Sequence, residues 1–207
     1  TKRTAQGLMS LHLNRPVHLT ETPEAELREA FDATLGTGRV FMYDHWGSTE
    51  SDNLLGKIRY LARGCNCDYI VLDHISIVVS GIDDGDERRI IDNLMTKLRS
   101  LVEELDIGMI LVSHLKRPNG EKGHEEGAKT SLAQLRGSAA IAQLSDMVIG
   151  LERNQQATEN AHVTTVRVLK NRWSGVTGIC CKLSYDVDTG RMNEVFDDDD
   201  TPFDEEF

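Results

Sequence analysis

The spacing of apolar residues divides the chain into elements before any motif is considered. Thr4, Leu8 and Leu11 fall on one face of a helix expected over residues 1–14, which Pro16 interrupts. A second helix is expected from Thr22-Pro23, a cap followed by a first-turn proline. Its apolar positions are Leu27, Ala30, Phe31 and Leu35, and Gly36-Thr37-Gly38 ends it. Val40 to Tyr43 reads as a short strand and Thr49 to Ala62 as a helix. Tyr69-Ile70-Val71-Leu72-Asp73 is apolar without alternation, the pattern of a strand covered on both faces. After the turn-rich Ser80 to Gly85, Ile90, Ile91, Leu94, Leu98, Leu101, Val102 and Leu105 recur at helical spacings. Three strands follow: Gly108 to Ser113, Asp146 to Leu151 and Val163 to Leu169. A hairpin of Ile179 to Tyr185 and Met192 to Val195 turns through Asp188-Thr189-Gly190. Strands alternating with helices predict an α/β domain with a mostly parallel sheet flanked by helices, closed by the C-terminal hairpin.

In such sheets ligands bind beyond the carboxyl ends of the strands, which selects Asp73, Ser113 with His114, Glu152 with Arg153, and Lys170 with Arg172. A carboxylate in the position of Asp73 either positions a magnesium ion, as in nucleotide hydrolases, or caps the next element. His114 either senses a terminal phosphate or is a satisfied histidine at a strand end. Lys116 to Lys129 is a 14-residue stretch rich in Gly, Lys and Glu, long for a loop inside a compact domain. Lys116, Arg117, Asn119 and Lys122 give it phosphate-contacting chemistry. His114, His124, Glu125 and Glu126 match no zinc spacing, so a solvated loop is expected there. Leu135-Arg136-Gly137-Ser138-Ala139-Ala140 places small residues after a base, suiting either close approach to a phosphate or a helix start. Lys170 and Arg172 either reach a phosphate in a neighbouring subunit or lie solvated at a strand end. No G-x-x-x-x-G-K-[ST] phosphate loop occurs in the chain.

Length and composition change this picture in two places. The 207 residues suit one domain, with 39% hydrophobic and 28% charged residues, an ordinary globular balance. No apolar run approaches the ~18 residues of a membrane span. Cys65, Cys67, Cys180 and Cys181 form neither a zinc pattern nor a secreted disulfide frame, which fits a reducing cytosol. The opening Thr1-Lys2-Arg3, without methionine, leads to the expectation of a fragment. The net charge of −11 argues at face value against a polyanionic partner. Seven of the acids lie in Phe196–Phe207, however, leaving −4 on the rest. The expected division is therefore a folded body over 1–195 and a disordered acidic tail over 196–207.

Several motifs resemble, in the same order, those of podovirus-type phage primase–helicases, which belong with DnaB and mitochondrial Twinkle. They are Tyr69-Ile-Val-Leu-Asp-His-Ile-Ser76, Leu111-Val-Ser-His-Leu-Lys116, His124-Glu-Glu-Gly127 and Leu135-Arg-Gly-Ser138. Gln143-Leu-Ser-Asp146, Leu151-Glu-Arg-Asn-Gln-Gln156 and Leu169-Lys-Asn-Arg172 continue the series. The resemblance implies a RecA-like replicative helicase domain whose phosphate loop and catalytic glutamate lie upstream of this chain. It implies that Asp73 holds magnesium, that His114 contacts the terminal phosphate region, and that Gln143 couples nucleotide state to a DNA loop. Arg172, with Lys170, is similar to the arginine finger donated in trans, and Arg153 with Tyr185 to the pair holding the nucleobase. Lys116, Arg117, Asn119 and Lys122, and Arg136, Gly137 and Ser138, resemble two DNA loops of the ring channel. Ala139 and Ala142 depart from the family, which favours glycine and a charged residue there.

The implied activity is hydrolysis of a nucleoside triphosphate, ATP or dTTP, driving 5′–3′ movement on single-stranded DNA by a ring, usually a hexamer. The tail, with Phe203 and Phe207 as apolar anchors, resembles one that docks on the replicative polymerase, and the expected location is the host-cell cytoplasm. The competing expectations are another RecA-fold ATPase of recombinase type and a non-catalytic polymerase-recruiting module.

Overall fold

A computed structural model describes residues 2–43, 51–76, 84–118, 122–135 and 139–196. The chain opens with two packed helices, α1 (Lys2–Leu13) and α2 (Glu24–Thr34). α1 stops where Asn14 takes φ 55° and the Arg15 N–H reaches the Ser10 carbonyl at 3.2 Å. Asparagine tolerates that left-handed turn, which satisfies a helix-end carbonyl. α2 begins one residue later than the proline pattern predicts. Pro23 is itself the residue flanking the helix, and no side chain caps it. A residue before proline is kept extended, and the Thr22 hydroxyl turns to Thr20 instead of to the helix.

Val40 to Tyr43 forms no strand, contrary to its β-favouring composition. Such composition stabilises a strand only beside a partner ladder, and none lies along this segment among the described residues. α3 (Ser51–Arg59) runs into a wider π turn over Tyr60–Gly64. There follow β1 (Tyr69–Leu72), α4 (Asp84–Leu105) and β2 (Gly108–Leu111). β1 and β2 pair in parallel, Tyr69 opposite Gly108 and Leu72 opposite Leu111. α4 ends as α1 does, with Asp106 at φ 55° and Ile107 bonded back to Val102 at 3.3 Å.

The second half holds the six-residue α5 (Ala139–Leu144), then β3 (Met147–Arg153), β4 (Val163–Asn171), β5 (Gly178–Tyr185) and β6 (Met192–Val195). These four strands pair in sequence order, all antiparallel. The parallel register expected of the sheet thus holds for β1 and β2, and the later strands reverse at each turn. Their connections are short, and a parallel return needs a crossover of a dozen or more residues.

The core forms where α4 lies against the parallel pair. Ile91, Leu94, Met95, Leu98, Leu101 and Leu105 are buried with Ile70, Ile75, Ile58, Ala62, Leu135 and Ile141. β1 is covered on one face only: Ile70 is 7% exposed, while Tyr69 is 75% and Val71 64% exposed. The two-sided burial inferred from its unbroken apolar run is not met, because no second layer lies over this face among the described residues. Ile110 on β2 and Ile149 and Leu151 on β3 are likewise exposed apolar residues. All four cysteines are free, and no helix of the described residues is long and apolar enough to cross a membrane.

Leu98, at the centre of the α4 stripe and 2% exposed, reports on this packing. Leu98→Ala is expected to destabilise the chain by about 2–5 kcal/mol in urea denaturation, through lost burial and the cavity left behind.

Candidate functional site

Parallel pairing of β1 and β2 brings their carboxyl ends side by side. The Val112 N–H donates to the Leu72 carbonyl at 2.9 Å, and the Ile75 N–H donates back to the Val112 carbonyl at 3.0 Å. Asp73 and His74 are held between these bonds, with the Asp73 carboxylate exposed at the edge. The His74 ring meets the His114 ring edge-on, centroids 4.3 Å apart and planes at 60°. His74 was not singled out in sequence, since one histidine beside an acid carries no pattern of its own. Its Nδ1 is buried without a hydrogen-bond partner among the described residues.

From His114 the chain enters the basic segment, whose base is fastened. Leu115 bridges to Leu135, and the Lys116 N–H donates to the Gln134 carbonyl at 2.7 Å. The His124 Nε2 lies 3.0 Å from the Lys116 carbonyl. A carbonyl only accepts, so that nitrogen carries the proton. The Gly123 N–H donates to the Glu126 carboxylate at 2.9 Å, closing a turn in which Gly127 takes φ 80°. Glu126 then bridges to Asn154, and the Gln155 N–H reaches the Glu125 carbonyl at 2.8 Å. The His124 ring, the Glu125 carbonyl and Glu126 thus fold the segment back onto the end of β3. No group of three metal-ligating side chains occurs among the described residues. Lys116, Arg117 and Lys122 are exposed. Asn119, Arg136, Gly137, Ser138, Phe203 and Phe207 lie outside the described residues, as does the tail from Asp197 on.

α5 begins just beyond that second basic stretch, in keeping with its reading as a helix start. Its carboxyl end is gripped by β4. Lys170 Nζ donates to the carbonyls of Ala142 (2.7 Å), Gln143 (3.1 Å) and Ser145 (2.8 Å). All three ammonium protons are therefore engaged inside the chain, and Lys170 does not project from a strand end. Arg172 keeps a half-exposed guanidinium. Its Nη2 donates to the Gln143 carbonyl at 3.0 Å, and its Nη1 lies 3.1 Å from Asp146 Oδ1. Gln143, Lys170 and Arg172, separate motifs in sequence, are one cluster in space, with the Gln143 side chain exposed.

Arg153 and Tyr185 share a face of the antiparallel sheet. Arg153 stands opposite Thr164, Thr164 opposite Leu183, and Tyr185 follows Leu183 by the two-residue strand period. Two strand spacings across and two residues along the strand separate their backbones by about 12 Å. Arg153 Nε is held by the Ala161 carbonyl at 2.6 Å. An open cleft of about 430 Å³ lies over the face that carries Glu152, Thr165 and Lys182, and Arg153 contributes to its lining while Tyr185 does not.

Glu152 is the most strongly perturbed group. Arg167 grips its carboxylate through Nε (2.7 Å) and Nη2 (3.0 Å), while Thr130 donates its N–H (2.7 Å) and hydroxyl (2.8 Å). Burial pushes the carboxyl upward, but the Arg167 and Thr130 hydrogen bonds outweigh it and hold the group at about 2. Gly150 makes this possible, since a Cβ there would lie 2.1 Å from the Thr130 hydroxyl oxygen. The network ties the end of the basic segment to β3. Sequence reading placed Glu152 at a strand end without its partner, because Arg167 lies 15 positions away on the next strand.

The parallel βαβ edge, followed by loops returning to an antiparallel extension, places the chain in the class of RecA-like folds. Two solved structures share the fold at 17% identity each. One is described as a DnaB-like replicative helicase and its interactions with primase (TM-score 0.71, covering 93% of this chain and 48% of that one). The other is a KaiC-like protein from Pyrococcus horikoshii (TM-score 0.55, 84% and 72%). Within that class, the profile of the DnaB-like helicase C-terminal domain matches residues 6–194, and the chain belongs to this family. It is 42% identical over 195 residues to the DNA helicase/primase of Enterobacteria phage T3. That match covers 90% of this chain but only 34% of the relative, so the chain spans about a third of the relative's length.

The depressed Glu152 pKa fixes the sign of an acid effect. A folded value of about 2 against 4.5 unfolded means the stabilisation is complete above pH 4.5 and is lost as pH falls towards 2. Urea midpoints between pH 6 and 2 should show a loss of roughly 2–3 kcal/mol from this group. Glu152→Gln should already be less stable at pH 6 and show a flatter acid limb.

Proposed function

We propose that this chain is the carboxyl-terminal part of the motor of a replicative DNA helicase. It couples nucleoside triphosphate hydrolysis to 5′–3′ movement on single-stranded DNA and to duplex unwinding, in a ring of six subunits. The observation that carries the reading is a continuous path. Asp73 and His114 leave one sheet edge, the basic segment springs from His114, and the chain returns through α5 to the cluster of Gln143 and Arg172. Similarity to the T3 relative, a DNA helicase/primase, supports carrying that activity to this chain.

In this reading Asp73 holds the magnesium ion that accompanies the triphosphate. An exposed carboxylate beside a sheet edge suits a hard ion bound by one protein oxygen and by phosphates. The ion would neutralise phosphate charge. His114, kept in place by the ring of His74, contacts the terminal phosphate region and passes its loss to Lys116 two residues on. Arg153 and Tyr185 hold the nucleobase of ATP or dTTP. Arg172 reaches the nucleotide of the adjoining subunit, and Lys170 keeps α5 in step with it. Lys116, Arg117, Asn119 and Lys122, with Arg136, Gly137 and Ser138, hold DNA phosphates. Residues 1–195 form the motor portion, and 196–207 dock on the replicative polymerase through Phe203 and Phe207, steered by the acids. Lacking the glycine–lysine phosphate loop, the 207 residues alone hydrolyse little or no triphosphate.

Donation in trans is tested by mixing variants of the full-length protein. Arg172→Ala and Asp73→Asn should each lose DNA-stimulated hydrolysis, the former about 10³-fold or more. Rings mixed from the two should recover a measurable fraction, because an Asp73→Asn subunit still supplies Arg172 to its neighbour. Failure to recover in well-assembled rings would refute the trans arrangement. DNA contact is read from salt. Removing Arg117 and Lys122 together should weaken single-strand binding and reduce the slope of log K against log salt by about 0.7 per lost contact. An unchanged slope would place DNA elsewhere.

A further inference from the structure

Asp146 is not among the residues given a role above, yet it is the carboxylate on which two cations converge. Arg99, from α4, donates Nη1 to Asp146 Oδ2 at 2.6 Å and Nε to Glu103 at 2.9 Å. Arg172, from the end of β4, places Nη1 3.1 Å from Asp146 Oδ1 and donates its backbone N–H to the Asp146 carbonyl at 2.9 Å. The Arg172 guanidinium is thus fixed by Asp146 and by the Gln143 carbonyl, with its other donors uncommitted among the described residues and its side chain 46% exposed.

We propose that Asp146 is the positioning residue for Arg172, a counter-ion that aims the guanidinium and can release it at little cost. The inference rests on the reading of Arg172 as the group reaching a phosphate of the adjoining subunit. Aiming follows from two-point attachment, since the backbone and one guanidinium nitrogen bind the same residue while the side chain stays 46% exposed. Release follows from the second cation. Were Arg172 the only partner, its departure would strand a partly buried carboxylate, a costly state. Arg99 has the shorter bond and a second carboxylate to anchor it, so it stays on Asp146 when Arg172 leaves. Asp146 directly follows Ser145, whose carbonyl Lys170 holds. Movement of Arg172 is therefore delivered at the carboxyl end of α5, the helix that begins beside Arg136–Ser138.

The test is a double-mutant cycle in the full-length protein, assembled on single-stranded DNA and assayed with radiolabelled triphosphate so that low turnover is readable. Asp146→Asn should lower kcat about 10- to 100-fold, as misplacement of a reacting partner does, with KM and ring assembly unchanged. Asp146→Glu should recover part of the loss. On an Arg172→Ala background, Asp146→Asn should cost nothing further, because the residue it positions is gone. A kcat unaffected by Asp146→Asn, or a full additional loss on the Arg172→Ala background, would overturn the positioning role. Were Arg172→Ala itself harmless, the reading of Arg172 would fail and this inference with it, so the two failures are distinguishable. Should Asp146→Asn not assemble, Arg99→Gln supplies the second arm. It leaves Arg172 as the sole partner of Asp146 and should lower kcat without changing KM, and an unchanged kcat would overturn the release step.

Discussion

Burial of one stripe of α4 against the parallel pair is the constraint from which the rest of the arrangement follows. Ile91, Leu94, Leu98, Leu101 and Leu105 fix the helix over Ile70, and so fix which ends of β1 and β2 stand together. Asp73 and His114 are neighbours only because of that register. Among the described residues, neither is positioned by a hydrogen bond of its own side chain to the sheet. The same stripe reaches Leu135 and Ile141, so the segment leaving His114 is pinned to the core where it returns. Exposed chemistry is carried between two buried anchor points.

Polar groups do the second part of the work, each by satisfying backbone that would otherwise be stranded. Six residues span about 9 Å and make a helix that is marginal alone. α5 persists because Ile141 is buried and Lys170 binds carbonyls at and beyond its end. A lysine ammonium near a helix carboxyl terminus also meets the negative end of the dipole. Glu152 acts similarly for the far end of the basic segment, holding Thr130 by backbone and hydroxyl while Arg167 neutralises it. Cations and acids that look like surface chemistry in the sequence are in these places internal fasteners.

Most elements were legible because their signal is local. The α4 stripe, the β1 run and the hairpin through Asp188-Thr189-Gly190 all carry their periodicity or turn residues within a few positions. Val40–Tyr43 was misread because composition reports on preference and not on the presence of a partner strand. The coverage of β1 was misread for the same reason: Tyr69 and Val71 are apolar whether or not a layer lies over them. At the site, Asp73, His114 and Arg172 were selected by the strand-end rule, and the resemblance supplied their roles. The contacts joining them were not legible. Arg99 and Asp146 are 47 positions apart, and Lys170 reaches carbonyls 25 to 28 positions away. Pairings of that range belong to tertiary structure and leave no spacing to read.

The net charge of −11 takes on a different sense once these fasteners are identified. Subtracting the tail leaves −4 on the body, still no invitation to a polyanion. Nor are the body's cations all available. Arg167 is taken by Glu152, Lys170 by three carbonyls, and Arg99 by Asp146 and Glu103. At the candidate site, the cations left with outward charge are Lys116, Arg117 and Lys122 on the basic segment and the half-exposed Arg172 beside α5. Under the proposed helicase function, long-range attraction would contribute little to encounter, and binding would rest on short-range contacts made when loops from several subunits line one channel. A chain so charged gains a strong grip on a phosphate backbone only by repetition, which a ring provides and a single subunit does not.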